Sequence, residues 1–141
     1  MSTTPTTRSR DLLLRELCDL LTGEGIEIKG ARGIEGLDLP PEITNTGFGS
    51  AKNKRPDLIG FDPKYRRIVF GLIREDRQSL DSEDSLEEYN VFLDHNAGLR
   101  EQASMLYVMM PQELVAEFTS ITTHYIHREY WHRLIAVGSQ R

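Results

Sequence analysis

Residues 55–62 read Arg55-Pro56-Asp57-Leu58-Ile59-Gly60-Phe61-Asp62, and residues 67–74 read Arg67-Ile68-Val69-Phe70-Gly71-Leu72-Ile73-Arg74. This pair decides the fold. Pro56–Phe61 is a short apolar strand. Asp62-Pro63-Lys64-Tyr65 is a turn, with proline where its fixed φ favours one. Arg67–Arg74 is apolar on both faces, the mark of a strand in the middle of a sheet. The two strands are expected to pair as a hairpin.

On the C-terminal side an acidic stretch, Glu75–Glu88, leads into a helix predicted over Ser82–His95, with Leu86, Tyr89, Val91, Phe92 and Leu93 on its apolar face. Asn96–Ser104 is ambiguous, because Ala97-Gly98 breaks it and Leu99–Ser104 has the composition of a further turn. Met105–Met110 is another buried strand. Pro111 suits the first position of a third helix running to about His127, with Leu114, Val115, Phe118 and Ile121 inward. Leu134–Val137 is a final strand. On the N-terminal side, Leu13, Leu17, Leu20 and Leu21 recur at helical spacing and predict a helix over about Arg8–Thr22, ended by Gly23. It follows a Ser/Thr/Pro-rich tail over residues 1–8 that is expected to be disordered. Ile26 and Ile28 alternate with charges as in a short strand, and residues 30–50 read as loop.

A hairpin followed by a helical crossover to a further strand implies an α/β protein, with a mixed central sheet and helices on both faces. Residues 9–141 form the expected single domain. The chain has 141 residues, 38% of them hydrophobic and 28% charged, with a net charge of −5; that suits one soluble domain with a proper core. No apolar run approaches the ~20 residues of a membrane helix, and the polar N-terminus lacks a signal-peptide core, so no membrane association and a cytoplasmic location are expected. A single cysteine, Cys18, excludes an internal disulfide.

The ordered pieces resemble the PD-(D/E)xK nuclease superfamily, the restriction-endonuclease-like fold. One branch carries R-P-D-x-I-G-x-D on one hairpin strand, a hydrophobic run ending G-E-x-K on the other, an acidic helix start and an apolar strand ending in proline. Here these stand as Arg55–Asp62, Ile68–Gly71, Asp81-Ser82-Glu83-Asp84-Ser85-Leu86-Glu87-Glu88-Tyr89 and Tyr107-Val108-Met109-Met110-Pro111. The resemblance covers Lys54–Glu117. It implies a site in which an aspartate and a second acid hold Mg²⁺, which keeps several waters, while a nearby lysine steadies the developing charge. The acid and the lysine must stand two apart, since only i and i+2 share a strand face.

This chain departs from that pattern at two of three positions. Asp57 is present, but Leu72 stands for the second acid and Arg74 for the lysine. Arginine keeps the charge but is bulkier and effectively never deprotonated. Glu75 is adjacent to Arg74 and faces the other side of a regular strand, while Asp76 lies beyond the strand end. Glu83 and Glu87, one turn apart on the next helix, are the alternative acids, as some branches of the superfamily place the second acid there; Glu88 neighbours them, and Glu16 is a further outer candidate. The catalytic candidates are therefore Asp57, Arg74, Glu83 and Glu87. The metal candidates are Asp57 and Glu87, with Mg²⁺ the cofactor if the site is active.

The net charge is uneven. Residues 52–67 carry six basic and two acidic groups, and residues 75–88 one basic and seven acidic. Lys52, Lys54, Arg55, Lys64, Arg66 and Arg67 are thus candidate nucleic-acid contacts, with Asn53 and Tyr65 alongside, expected to flank the same site as the acidic helix. The bland alternative is a lysine-rich hairpin edge kept for solubility. His124, His127 and His132 have zinc-like spacing but lack further ligands. Three readings follow: a nuclease-fold protein with a degenerate motif that binds nucleic acid or acts as an accessory or regulatory partner; a divergent Mg²⁺-dependent DNA endonuclease using Asp57, a helix acid and Arg74; and a protein-binding scaffold. DNA, a second copy of the chain or another protein are the expected partners.

Overall fold

The structure, a computed structural model, describes residues 5–44, 53–95 and 103–140, with side chains from residue 10 onward except at Thr44. The hairpin forms as the pattern dictates. β4 (Leu58–Asp62) pairs antiparallel with β5 (Arg67–Ile73) in unbroken register from Leu58 opposite Gly71 to Asp62 opposite Arg67. The Asp62 carboxylate accepts the Lys64 backbone N–H at 3.0 Å, which fixes the turn. Arg66 takes the left-handed conformation there, φ 57°.

β1 (Glu27–Ala31) adds antiparallel to β4. β6 (Met105–Pro111) and β7 (Leu134–Ser139) add parallel on the other side, giving one five-stranded mixed sheet in the order β1-β4-β5-β6-β7. β5 is the middle strand, as its two apolar faces require. A separate two-stranded ribbon pairs β2 (Ile43–Thr44) with β3 (Asn53–Lys54), inside and just after the region expected to be loop.

Alternation along β5 sorts the core into two layers. Val69 and Ile73 face α1 (Pro5–Gly23) and meet Leu13, Leu14, Leu17 and Leu21. Phe70 and Leu72 face α2 (Glu83–Asp94) and α3 (Val115–Tyr125), and meet Tyr89, Phe92 and Phe118. Each such apolar side chain removed from water contributes about 1.5–3 kcal/mol. Gly71 lets α1 approach: a Cβ there would sit 2.9 Å from Leu17 Cδ2 and 3.1 Å from Leu58 Cβ.

α2 starts where the sequence places it. Ser82 is the N-cap and its hydroxyl accepts the Ser85 N–H at 3.1 Å, while Glu83 and Asp84 lie in the first turn, where the helix dipole favours acids. β4 starts two residues later than expected and β7 runs two residues further, and three helix ends also differ. α1 begins at Pro5 and so takes in residues assigned to the tail, since proline is well suited to a first turn. Pro111 ends β6 with extended ψ 143° instead of opening the helix, and a 3-10 turn, Gln112–Leu114, intervenes before α3. α3 ends at Tyr125, short of His127. The break expected at Ala97-Gly98 lies outside the described residues, as does the turn expected over Leu99–Ser104 except for Ala103 and Ser104, which have no regular structure. Among the described residues no helix is long and apolar enough to cross a membrane.

Candidate functional site

Asp57 sits just ahead of β4, at the end of the sheet where β5 finishes, and is 6% exposed. Its main chain is tied on both sides: its N–H donates to Gly71 O at 3.0 Å, and its carbonyl accepts the Arg32 N–H at 2.8 Å. Both oxygens of its carboxylate accept a hydrogen bond. Oδ2 accepts the Ile73 backbone N–H at 2.9 Å, Oδ1 accepts from the Arg10 guanidinium on α1, and Arg32 Nε approaches Oδ1 to 3.7 Å. Arg32 also donates to the Arg55 carbonyl at 3.1 Å.

Arg74 is buried and works elsewhere. Its Nε donates to the Tyr89 hydroxyl at 3.0 Å and its Nη2 to Glu88 Oε1 at 2.5 Å, both on α2. Tyr89 passes the chain on, donating to the Leu80 carbonyl at 2.8 Å. Burial opposes the Arg74 charge, but Tyr89 and Glu88 outweigh it and hold the arginine pKa above its ordinary value. Among the described residues no hydrogen bond or ion pair joins Arg74 to Asp57. Leu72, at the acid's position, is core, 1% exposed.

The residue that does come near Asp57 is Glu75. Burial raises its pKa, Arg10 counters this, and Asp76 and Asp57 add to the rise. The charges of Arg10 and Asp57 both act on Glu75, so it shares their neighbourhood. Asp76 is exposed and accepts the Ser79 N–H at 3.0 Å, beyond the strand.

The helix acids are not brought to Asp57. Glu87 and Asp84 each lie 3.3 Å from Lys54 Nζ. Glu83 is exposed at the first position of α2. Glu16 accepts from the Ser139 hydroxyl at 2.8 Å and the Gln140 N–H at 2.9 Å, pinning α1 to the end of β7. Among the described residues no three His, Cys, Asp or Glu groups stand where they would hold an ion. Mg²⁺ needs several oxygen ligands, yet each Asp57 oxygen already accepts a hydrogen bond and the second acid's position is the core residue Leu72. The residues here do not fit the metal that the resemblance implies.

The expected basic cluster also divides. Lys54 is drawn inward by Asp84 and Glu87, and its pKa is raised by them against the opposing effect of burial. The Arg55 guanidinium donates to the Pro40 carbonyl. Lys52 lies outside the described residues. Lys64, Arg66 and Arg67 sit at the hairpin turn, at the far end of β4 from Asp57, about 17 Å away at the usual strand rise. There Tyr65 is 50% exposed, with the Lys64 ammonium 5.4 Å and the Arg67 guanidinium 4.7 Å from its ring centre; Arg67 Nε also lies 3.5 Å from Asp62. The turn therefore does not flank Asp57 together with the acidic helix.

Sequence reasoning missed Arg10 and Arg32. The one available signal was positional: Arg32 directly follows β1, whose antiparallel pairing with β4 brings it to Asp57. The histidines assemble no site. His124 meets Tyr125 edge to face at 4.7 Å, and His127 Nδ1 accepts the Glu129 N–H at 3.2 Å. Cys18 is half-buried against the α1 core, and burial raises its pKa.

Comparison with family models, curated proteins and solved structures found no match for this chain.

Proposed function

We propose that this chain is a restriction-endonuclease-like protein whose catalytic motif is degenerate, and that it binds nucleic acid without hydrolysing it. The observation that carries the reading is the occupied carboxylate of Asp57, held by Arg10 and the Ile73 N–H while Leu72 is core and Arg74 is tied to α2. The topology supports the fold assignment: a hairpin, a crossover helix, a parallel strand, and an N-terminal helix on the opposite face. The hairpin turn supports the ligand class. An exposed tyrosine flanked by cations offers a stacking surface beside charges that neutralise phosphate.

The test is fluorescence anisotropy with single-stranded and duplex oligonucleotides across a salt series, beside a cleavage assay with Mg²⁺ or Mn²⁺. Binding should weaken steeply with salt, and Lys64→Ala with Arg66→Ala should weaken it further and flatten the salt slope. No cleavage is expected. Metal-dependent cleavage abolished by Asp57→Ala would overturn the reading.

A second reading, a protein-binding scaffold, is favoured by the edge strand β7 and the groove of about 230 Å³ beside it, lined by Phe118, Thr122, Trp131, Leu134 and Ala136 among others. Trp131 is 43% exposed there, its indole N–H donating to the Ile126 carbonyl at 2.9 Å. Salt-insensitive failure to bind any oligonucleotide would favour it.

A further inference from the structure

We infer that Arg10 and Arg32 are the resident cations of the Asp57 site: their guanidinium groups hold, from within the chain, the place at the carboxylate that a divalent ion takes in a working nuclease, and Asp57 serves as the joint that locks α1 and β1 to the hairpin. The inference rests on the fold assignment above and deepens it, since it says what has become of the site.

Charge balance is the first argument. Two guanidinium groups, those of Arg10 and Arg32, meet the single Asp57 carboxylate, so its charge is balanced with no added ion. Asp11, nearby on α1, is engaged by Arg15 at 3.1 Å. Access is the second. An open cleft of about 230 Å³ is lined by Arg10, Asp11, Leu14, Arg32 and Gly33. Arg10 and Arg32 are 34% and 42% exposed there, while Asp57 lies behind them at 8%. A cation entering the cleft therefore meets two guanidinium groups before it meets the carboxylate, and like charges repel. Connectivity is the third. Through its own atoms Asp57 bonds to α1 at Arg10, to the end of β1 at Arg32, and to β5 at Gly71 and Ile73. The carboxylate itself is committed to Arg10 and to the Ile73 N–H, while the main chain of Asp57 holds Arg32 and Gly71.

Thermal melts with and without millimolar Mn²⁺ test this on the wild-type chain and on Asp57→Asn, Arg10→Met, Arg10→Lys and the Arg10→Met/Asp57→Asn double variant. A ligand that binds only the folded state raises its melting temperature by mass action. Mn²⁺ should shift the wild type and Asp57→Asn equally. Arg10→Met should melt about 5 °C or more below the wild type, and Mn²⁺ should recover part of that loss, but not in the double variant. Arg10→Lys keeps the charge and should show neither the full loss nor the Mn²⁺ response, so the test survives if Arg10→Met does not fold. An Asp57-dependent Mn²⁺ shift in the wild type, or a Mn²⁺ response in Arg10→Lys equal to that of Arg10→Met, would overturn the inference. Cleavage of nucleic acid without any Asp57-dependent Mn²⁺ shift would instead sink the proposed function and leave this inference standing.

Discussion

The Oδ2 oxygen of Asp57 accepts the backbone N–H of Ile73 at 2.9 Å across sixteen residues of sequence. β5 continues to Ile73 while β4 begins only at Leu58, so the ladder has run out of backbone acceptors at this point. A side chain takes over and closes the end of the sheet. Asp57→Ala would leave a buried N–H and the Arg10 guanidinium without their acceptor, and Arg32 without its ion-pair partner. It should cost about 2–4 kcal/mol of stability, with Asp57→Asn losing less because one acceptor remains. Urea unfolding of the three proteins checks this, and an unchanged midpoint for Asp57→Ala would refute the structural role.

Arg74 invites the opposite experiment, since a lysine stands there in the nuclease pattern. Arg74→Lys should restore no hydrolysis, because position 74 is held against Tyr89 and Glu88 on α2, away from the Asp57 carboxylate. It should also destabilise the protein by about 1–3 kcal/mol, as a lysine cannot hold Tyr89 and Glu88 with two donors fixed in one plane. Nuclease activity gained by Arg74→Lys alone would contradict this account of the site.

Mild acid should weaken the fold through His95. Its ring meets Phe70 edge to face at 5.5 Å, and burial lowers its pKa from the ordinary 6.5. The unfolded chain therefore binds this proton more readily than the folded one. The contribution of His95 is fully present above about pH 6.5 and is lost as the pH falls through the lower folded value. His95→Gln removes the proton site, so its stability should vary less between pH 7 and pH 5 than that of the wild type, as followed by melting temperature.

Gly71 tests the spacing between α1 and the sheet. Gly71→Ala places a methyl 2.9 Å from Leu17 Cδ2 and 3.1 Å from Leu58 Cβ. The helix or the leucines must shift, at a cost of about 1–3 kcal/mol. A variant as stable as the wild type would show that α1 is more loosely seated than its buried Leu17 implies.

The hairpin, the middle strand and the Ser82 cap were legible because each rests on local chemistry: an apolar run, a turn proline, a hydroxyl ahead of an amphipathic helix. Pro111 was misread because the same fixed φ serves a strand end and a helix start. The site was less legible for a geometrical reason. Asp57 precedes its strand, so side-chain alternation does not govern where its carboxylate goes, and its chief partner, Arg10, is 47 residues away. Lys54 and Arg55 read as surface charge, yet their acceptors are Glu87, Asp84 and the Pro40 carbonyl, brought close only by the fold.

β5 sends Ile73 to one layer and Leu72 to the other, and Arg74 follows Leu72 while Asp57 binds the main chain of Ile73. The sheet therefore acts as an insulating partition between two circuits of charge. The two meet at the main chain of Ile73, whose N–H donates to Asp57 and whose carbonyl accepts Arg74 Nη1 at 3.3 Å, so changes on the two sides are coupled through that one residue. The same partition makes reversal hard: an acid at position 72 and a lysine at position 74 would stand on the α2 side, away from the Asp57 carboxylate.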